Sequence, residues 1–202
     1  VSTEAEHAAV TSGVGCVDVS AMTKFRLWGS GVSAFAERVA GSDAARQIRM
    51  VFAFDHTIAC RLAADHLLVL ASTVASGTLQ DRLAGLCREI PRDTPIEHHD
   101  ATCALAGFQL VGPNARAVLR RLVQLDLSEK NFPARSCAET SCAGIHATLV
   151  RGEPGDHDAF RVYVAWDLGE FVWERILQAG DAFGIIPVGM NVWRRLTGHA
   201  AS

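Results

Sequence analysis

Residues Phe25–Val39, FRLWGSGVSAFAERV, carry a strand, a turn and a helix in immediate succession. Phe25 and Leu27 alternate with Lys24, Arg26 and Trp28, the period of two expected of a strand with one wet face. Gly29 and the Ser30-Gly31 pair make the turn. Val32, Phe35, Ala36 and Val39 then fall at i, i+3, i+4 and i+7, a single apolar stripe along a helix. The same pattern returns at a constant offset of 83 residues in Phe108–Leu122, FQLVGPNARAVLRRL, where Phe, Leu, Gly and the helical arginine (Arg38, then Arg121) coincide.

A second pair of stretches repeats in the same order. DHLLVLASTVASGTLQDRL from Asp65 and DAFRVYVAWDLGEFVWERI from Asp158 each read as an alternating strand, a short break and an amphipathic helix. In the later copy Asp167 and Glu170 have the spacing of a helix start, with Leu168, Phe171, Val172 and Ile176 as its expected buried stripe. Between the units lie strand pairs: RMVFAF, TIACRL and HLLVLAS, then AETSCA, IHATLVR and AFRVYVA, joined at Ala63-Ala64-Asp65 and Ala143-Gly144 by hairpin-length connections. The expected fold is α+β, a duplicated domain over 1–202 with lobes at 14–92 and 98–197, each an antiparallel sheet covered on one face by helices. Two prolines make PRDTPIEHHD, Pro91 to Asp100, the expected seam between halves.

At 202 residues and 49% hydrophobic content, the chain can enclose a core without metal or disulfide staples. Nineteen basic residues against 22 acidic ones, with no basic run, exclude a nucleic-acid partner. No apolar run spans a bilayer, and the opening VSTEAEHAAV has no signal-peptide pattern, so the expectation is a cytoplasmic protein without a membrane partner. The six cysteines are scattered and read as small buried hydrophobes; Cys137 and Cys142 find no companion set, so no metal is expected. His98 and His99 are adjacent on a strand and point to opposite faces, away from a common ion.

VGCVDVSAMTKFRLWGSGVSAFAERV resembles the opening of the glycine-cleavage T-protein family, the folate-binding aminomethyltransferases, where Asp-(Val/Leu)-Ser-x-Met precedes a Gly-rich turn and helix. DHTIACRLAADHLLVLAST is similar to that family's Asp-Asp hairpin, ATCALAGFQLVGPNARAVLRRL to its Gly-Pro-x-(Ala/Ser)-Arg unit, and FGIIPVGMNVWRRL to its Pro-x-Gly stretch. The resemblance implies a cleft for tetrahydrofolate, in which an acid orients the folate amine during one-carbon transfer from an amine substrate. Asp55 matches the first acid of the pair, and His56 stands in the place of the second. A carboxylate suits the task, because it accepts from an amine and stabilises iminium charge. His56 would instead relay protons near neutral pH. Met22, Trp28 and Arg194 are further candidates for the cleft wall, with Glu153 as a loop acid.

Three departures accompany the matches. Arg161 stands where the family's folate-facing glutamate is expected, Ala21 replaces the histidine before the early methionine, and MNVWRRLTG is followed shortly by the last residue, where longer relatives continue into a sheet-rich C-terminal domain. LDLSEKNFPARSCAETSCAGIHATLVR is also similar to the small gamma-type subunit of heterotetrameric sarcosine oxidase, through Asp126-Leu127, Phe132-Pro133, Cys137-Ala138 and Thr140. That resemblance implies an accessory subunit with an eroded active site, packed on larger flavoprotein oxidase or demethylase subunits. The alternatives are self-association of a small tetrahydrofolate-dependent aminomethyl or methylene transferase that uses Asp55, and another reaction on the same fold.

Overall fold

The computed structural model describes residues 3–40, 47–54, 57–71, 76–152 and 158–190. In chain order the first half forms α1 (Thr3–Ser12), β1 (Val14–Asp18), β2 (Thr23–Trp28), α2 (Val32–Ala40), β3 (Val51–Phe54), β4 (Thr57–Ala63), β5 (His66–Ala71), α3 (Ser76–Arg88) and β6 (Glu97–Asp100). The second half forms β7 (Leu105–Val111), α4 (Ala115–Leu119), β8 (Cys137–Cys142), β9 (Ile145–Arg151), β10 (Ala159–Ala165), α5 (Gly169–Gly180) and β11 (Ile185–Pro187). Two compact units result: a first, of residues 21–105 with 135–138, and a second, of 1–20, 106–134 and 139–202. No described helix is long and apolar enough to cross a membrane.

In the first unit the sheet runs β3-β4-β5-β2-β6. The alternation of β2 sends Phe25 and Leu27 into a core with Val32, Phe35 and Ala36 of α2, Leu79 and Leu83 of α3, and Phe52 and Phe54 of β3. Each of these side chains except Ala36 contributes about 1.5–3 kcal/mol by leaving water. Phe35 meets Phe54 edge-on at 6.1 Å, which locks α2 onto the hairpin. On the other face Trp28 stacks on His66 at 5.5 Å and meets His99 at 5.3 Å, whereas His98 lies 6.4 Å from Phe25. The two adjacent histidines therefore occupy opposite faces.

The Pro91–Asp100 stretch is not a seam. Thr94 closes a turn by donating its N–H to the Pro91 carbonyl at 3.0 Å, and β6 then pairs antiparallel with β2, so the segment stays inside the first unit. The prolines interrupt the helix without ending the unit, because a strand edge remained for the chain to return to.

In the second unit the order is β11-β1-β7-β10-β9-β8. The sequence β8-β9-β10-β7 repeats β3-β4-β5-β2, so the duplication read from the two offsets is a duplication of strand order. β1 pairs antiparallel with β7, as β6 does with β2, and β11, parallel to β1, is the addition. Both strand-to-helix turns rest on a glycine with φ near +125°, Gly29 at 124° and Gly112 at 126°, 83 positions apart. A Cβ at Gly112 would lie 2.6 Å from the Val10 and Gly13 carbonyl oxygens, so conformation and space both demand glycine. The coincident arginines also act alike. Arg38 pairs with Glu89 just past α3, and Arg121 donates to the Ala179 carbonyl at 3.1 Å near the end of α5. A cation is favoured beside the negative end of a helix.

The buried stripe of α5 is Gly169, Val172, Ile176 and Gly180, while Phe171 is 45% exposed. Leu168 and Phe171, expected in the core for their hydrophobicity, are half-buried and exposed respectively. The helix instead approaches its neighbours through glycines, with a Cβ at Gly169 falling 2.8 Å from that of Ala106.

An ion network closes the second unit around its longest loop. Arg116, in the Gly-Pro-Asn-Ala-Arg unit, grips Asp158 through Nε at 2.9 Å and Nη2 at 3.0 Å. Arg151 adds Nη2 to Asp158 at 3.0 Å, Nη1 to Glu129 at 2.6 Å and Nη1 to the Phe132 carbonyl at 2.7 Å. Both guanidinium groups lie over the Phe160 ring, at 5.7 and 5.8 Å. The LDLSEKNFP stretch owes its place to this network and to the fully buried Phe132.

Candidate functional site

Strand register decides which candidates can act together. Phe54 pairs with Thr57, Thr57 with Ala71, and Ala71 with Thr23, so the end of β3 and the starts of β4 and β2 share one end of the first sheet. Met22, buried at 6% exposure, directly precedes Thr23 at that end, and its carbonyl accepts from the Nζ of the fully buried Lys24 at 2.8 Å. Asp55, His56, Glu153 and Arg194 lie outside the described residues. Trp28 is at the opposite end of the same strand, six residues from Met22 and so about 20 Å away. Met22 and Trp28 do not share a site, and Trp28 instead belongs to the stack with His66 and His99.

On the second sheet, Arg161 of β10 donates Nε to the Oε1 of Gln109 on β7 at 3.0 Å. Gln109 is buried at 2% exposure and Arg161 is half-buried. Two residues on, Tyr163 is buried against the backbone of Gly107, where a Cβ would come 2.7 Å from the ring. This face therefore presents a cation steadied by a neutral amide.

The second unit also holds a cavity of about 480 Å³, lined by Asp18, Ser20, Ala106, Phe108, Trp166, Asp167, Gly169, Glu170 and Trp173. The Asp-Val-Ser motif builds one wall. Asp18 ends β1 by accepting the Ser20 N–H at 2.8 Å, Val19 donates to the Gly107 carbonyl at 2.8 Å, and the Ser20 hydroxyl accepts the Gly107 N–H at 3.0 Å. The turn Trp166–Leu168 and the start of α5 build the other wall, with Trp173 packed on Phe108 at 5.4 Å. Trp166, Gly169, Glu170 and Trp173 are spaced i, i+3, i+4 and i+7, the signal that would have found this wall in the sequence. The apolar stripe of the same helix overlies that signal and masks it.

A strand–helix–meander–helix unit occurring twice, with the same strand order and the same glycine turn, defines a duplicated α+β domain. The chain belongs to the GCVT N-terminal domain family, whose model matches residues 1–197. It is 26% identical over 204 residues to the aminomethyltransferase of Bacillus subtilis (strain 168), covering 94% of this chain and 54% of that protein. It is 26% identical over 214 residues to the sarcosine oxidase subunit alpha of Rhizobium meliloti (strain 1021), covering 98% of this chain and 22% of that one. The chain thus spans about half the length of the aminomethyltransferase and a smaller part of the alpha subunit.

Two solved structures share the fold. A chain of the heterotetrameric sarcosine oxidase from Corynebacterium sp. U-96 superposes with a TM-score of 0.71 at 24% identity, over 92% of this chain and 94% of that one. The glycine cleavage system aminomethyltransferase T from Bartonella henselae superposes with a TM-score of 0.73 at 19% identity, over 96% of this chain and 53% of that one.

Proposed function

We propose that the chain is a T-protein-like, folate-binding-fold protein of amine-linked one-carbon metabolism, acting in the cytoplasm as an accessory subunit beside a larger flavoprotein oxidase or demethylase. The observation that carries this reading is the Arg161–Gln109 pair. A pterin presents ring N–H and amino donors and needs acceptors opposite them. At residue 161, where the resemblance implies a carboxylate, the chain holds a guanidinium, which can only donate and whose Nε is already committed to Gln109. The described residues do not fit a reduced folate at that position. The likeness in fold to a chain of a heterotetrameric oxidase supports the subunit role. The buried thiols of Cys16, Cys60, Cys137 and Cys142 suit a reducing compartment, in keeping with the cytoplasm.

The test has two arms. Purified from its native source under mild conditions, the protein is expected in complex with larger flavoprotein subunits, and calorimetry of the isolated chain with tetrahydrofolate is expected to show no heat of binding. Recovery of the chain alone would overturn the subunit reading. The register that pairs Phe54 with Thr57, Thr57 with Ala71 and Ala71 with Thr23, the neighbour of buried Met22, supports the alternative, a small tetrahydrofolate-dependent transferase. Folate binding abolished by Asp55→Ala would establish that alternative.

A further inference from the structure

The cavity of the second unit has no part in the reading above, and its walls have a definite chemistry. Phe108 and Trp173 form a tilted aromatic pair at 5.4 Å, and Trp166, also in the lining, has 59% of its surface in water. Among the described residues its indole stacks on no other ring, so an aromatic face of the lining is open to a ligand. Around the rings sit three carboxylates, Asp18, Asp167 and Glu170. Among the described residues none of the three forms an ion pair. Asp167 and Glu170 also occupy the start of a helix, where acids are favoured, but the roughly half charge of a helix dipole cannot balance three carboxylates. The volume, about 480 Å³, lies within the range of small-molecule sites.

Aromatic faces combined with surplus negative charge select one ligand chemistry. A metal ion would require converging oxygens and gain nothing from indoles. An anion would be repelled, and a neutral apolar molecule would leave the carboxylates without a role. A methylated ammonium spreads its charge over methyl groups that can lie against ring faces, while the carboxylates attract it from solution. We propose that this cavity binds a small organic cation with a methylated ammonium head, with Trp166 and Trp173 as the cage walls and Asp18, Asp167 and Glu170 as the counter-charge.

The experiment uses the full chain and three probes at matched ionic strength: tetramethylammonium, choline, and 3,3-dimethyl-1-butanol, the neutral isostere of choline. Binding is followed by the indole Nε1–H resonances in NMR, assigned with single Trp→Phe variants. Both cations are expected to shift the Trp166 and Trp173 resonances saturably, and the isostere to bind at least roughly tenfold more weakly. Trp166→Ala should weaken choline by roughly tenfold with the circular dichroism spectrum unchanged, since so exposed a side chain is dispensable for folding. Asp167→Asn with Glu170→Gln should weaken both cations several-fold and flatten their salt dependence. Equal binding of the isostere would overturn the proposal and leave a merely apolar hollow. Non-saturating shifts, or shifts unaffected by Trp166→Ala, would also overturn it.

Discussion

Replacing Arg151 with Met should destabilise the protein by about 2–4 kcal/mol, and the size of the loss can be built from its contacts. The Arg151 side chain is 7% exposed and donates to three partners. The Phe132 carbonyl loses a charge-assisted donor, worth about 1–3 kcal/mol when an acceptor is stranded away from water. Asp158 loses one bond but keeps the two-point grip of Arg116, a loss of about 1 kcal/mol. The cation over Phe160 at 5.8 Å adds about 0.5–1 kcal/mol. Glu129, 69% exposed, loses a solvent-screened ion pair, a modest contribution that is present at neutral pH and disappears in acid.

Urea denaturation at pH 7 checks the figure, with a lowered midpoint and an unchanged slope expected. A second readout comes from pH. The hydrogen bond from Arg151, with help from Arg116, holds the Glu129 carboxyl at about 2, below its ordinary 4.5. A depressed carboxyl stabilises the fold above its unfolded pKa, and that contribution is lost as pH falls from 4.5 towards 2. The gap between wild type and Arg151→Met should therefore narrow across that window. A loss below about 0.5 kcal/mol at pH 7, or a gap constant down to low pH, would refute the view that the network pins the loop.

Gly112→Ala should cost about 2–4 kcal/mol in thermal denaturation, because the position combines φ of 126° with a Cβ 2.6 Å from two carbonyl oxygens. Gly85→Ala, in the interior of α3 with nothing within 4 Å of the added methyl, should instead stabilise by about 0.5–1 kcal/mol in the same assay. Phe132→Ala should cost about 3–5 kcal/mol and expose the 126–135 loop to limited proteolysis, since the ring is wholly buried. His98 has its pKa lowered by burial and by neighbouring His99, so the folded state binds its proton less readily than the unfolded one. Stability should fall on acidification through the ordinary imidazole range, and His98→Phe should lessen that fall in denaturation curves between pH 8 and 5, roughly.

Most of the architecture was legible because it is written in local periodicity. The alternation in TKFRLW and the stripe Val32, Phe35, Ala36 became β2 and α2, and the paired offsets became two units of one strand order. Ala143-Gly144, read as a hairpin connection, proves a turn with positive φ at both residues, 51° and 84°. Hydrophobicity does not reveal backbone proximity: Gly169 lets α5 sit against Ala106, and Phe171 is left outside the core. Of the site residues, Met22 and Trp28 could be named from sequence, but their separation could not, since it depends on strand register and not on composition.

By itself, the sequence determined the alternating strands, the amphipathic helices and their repetition, since each follows from residues within a turn or two of one another. Only the tertiary structure decided that β1 lies between β7 and β11, that Arg161 finds Gln109, and that Asp18 faces the same hollow as Glu170. Those partners are far apart along the chain, and nothing short of the packed sheet brings them together.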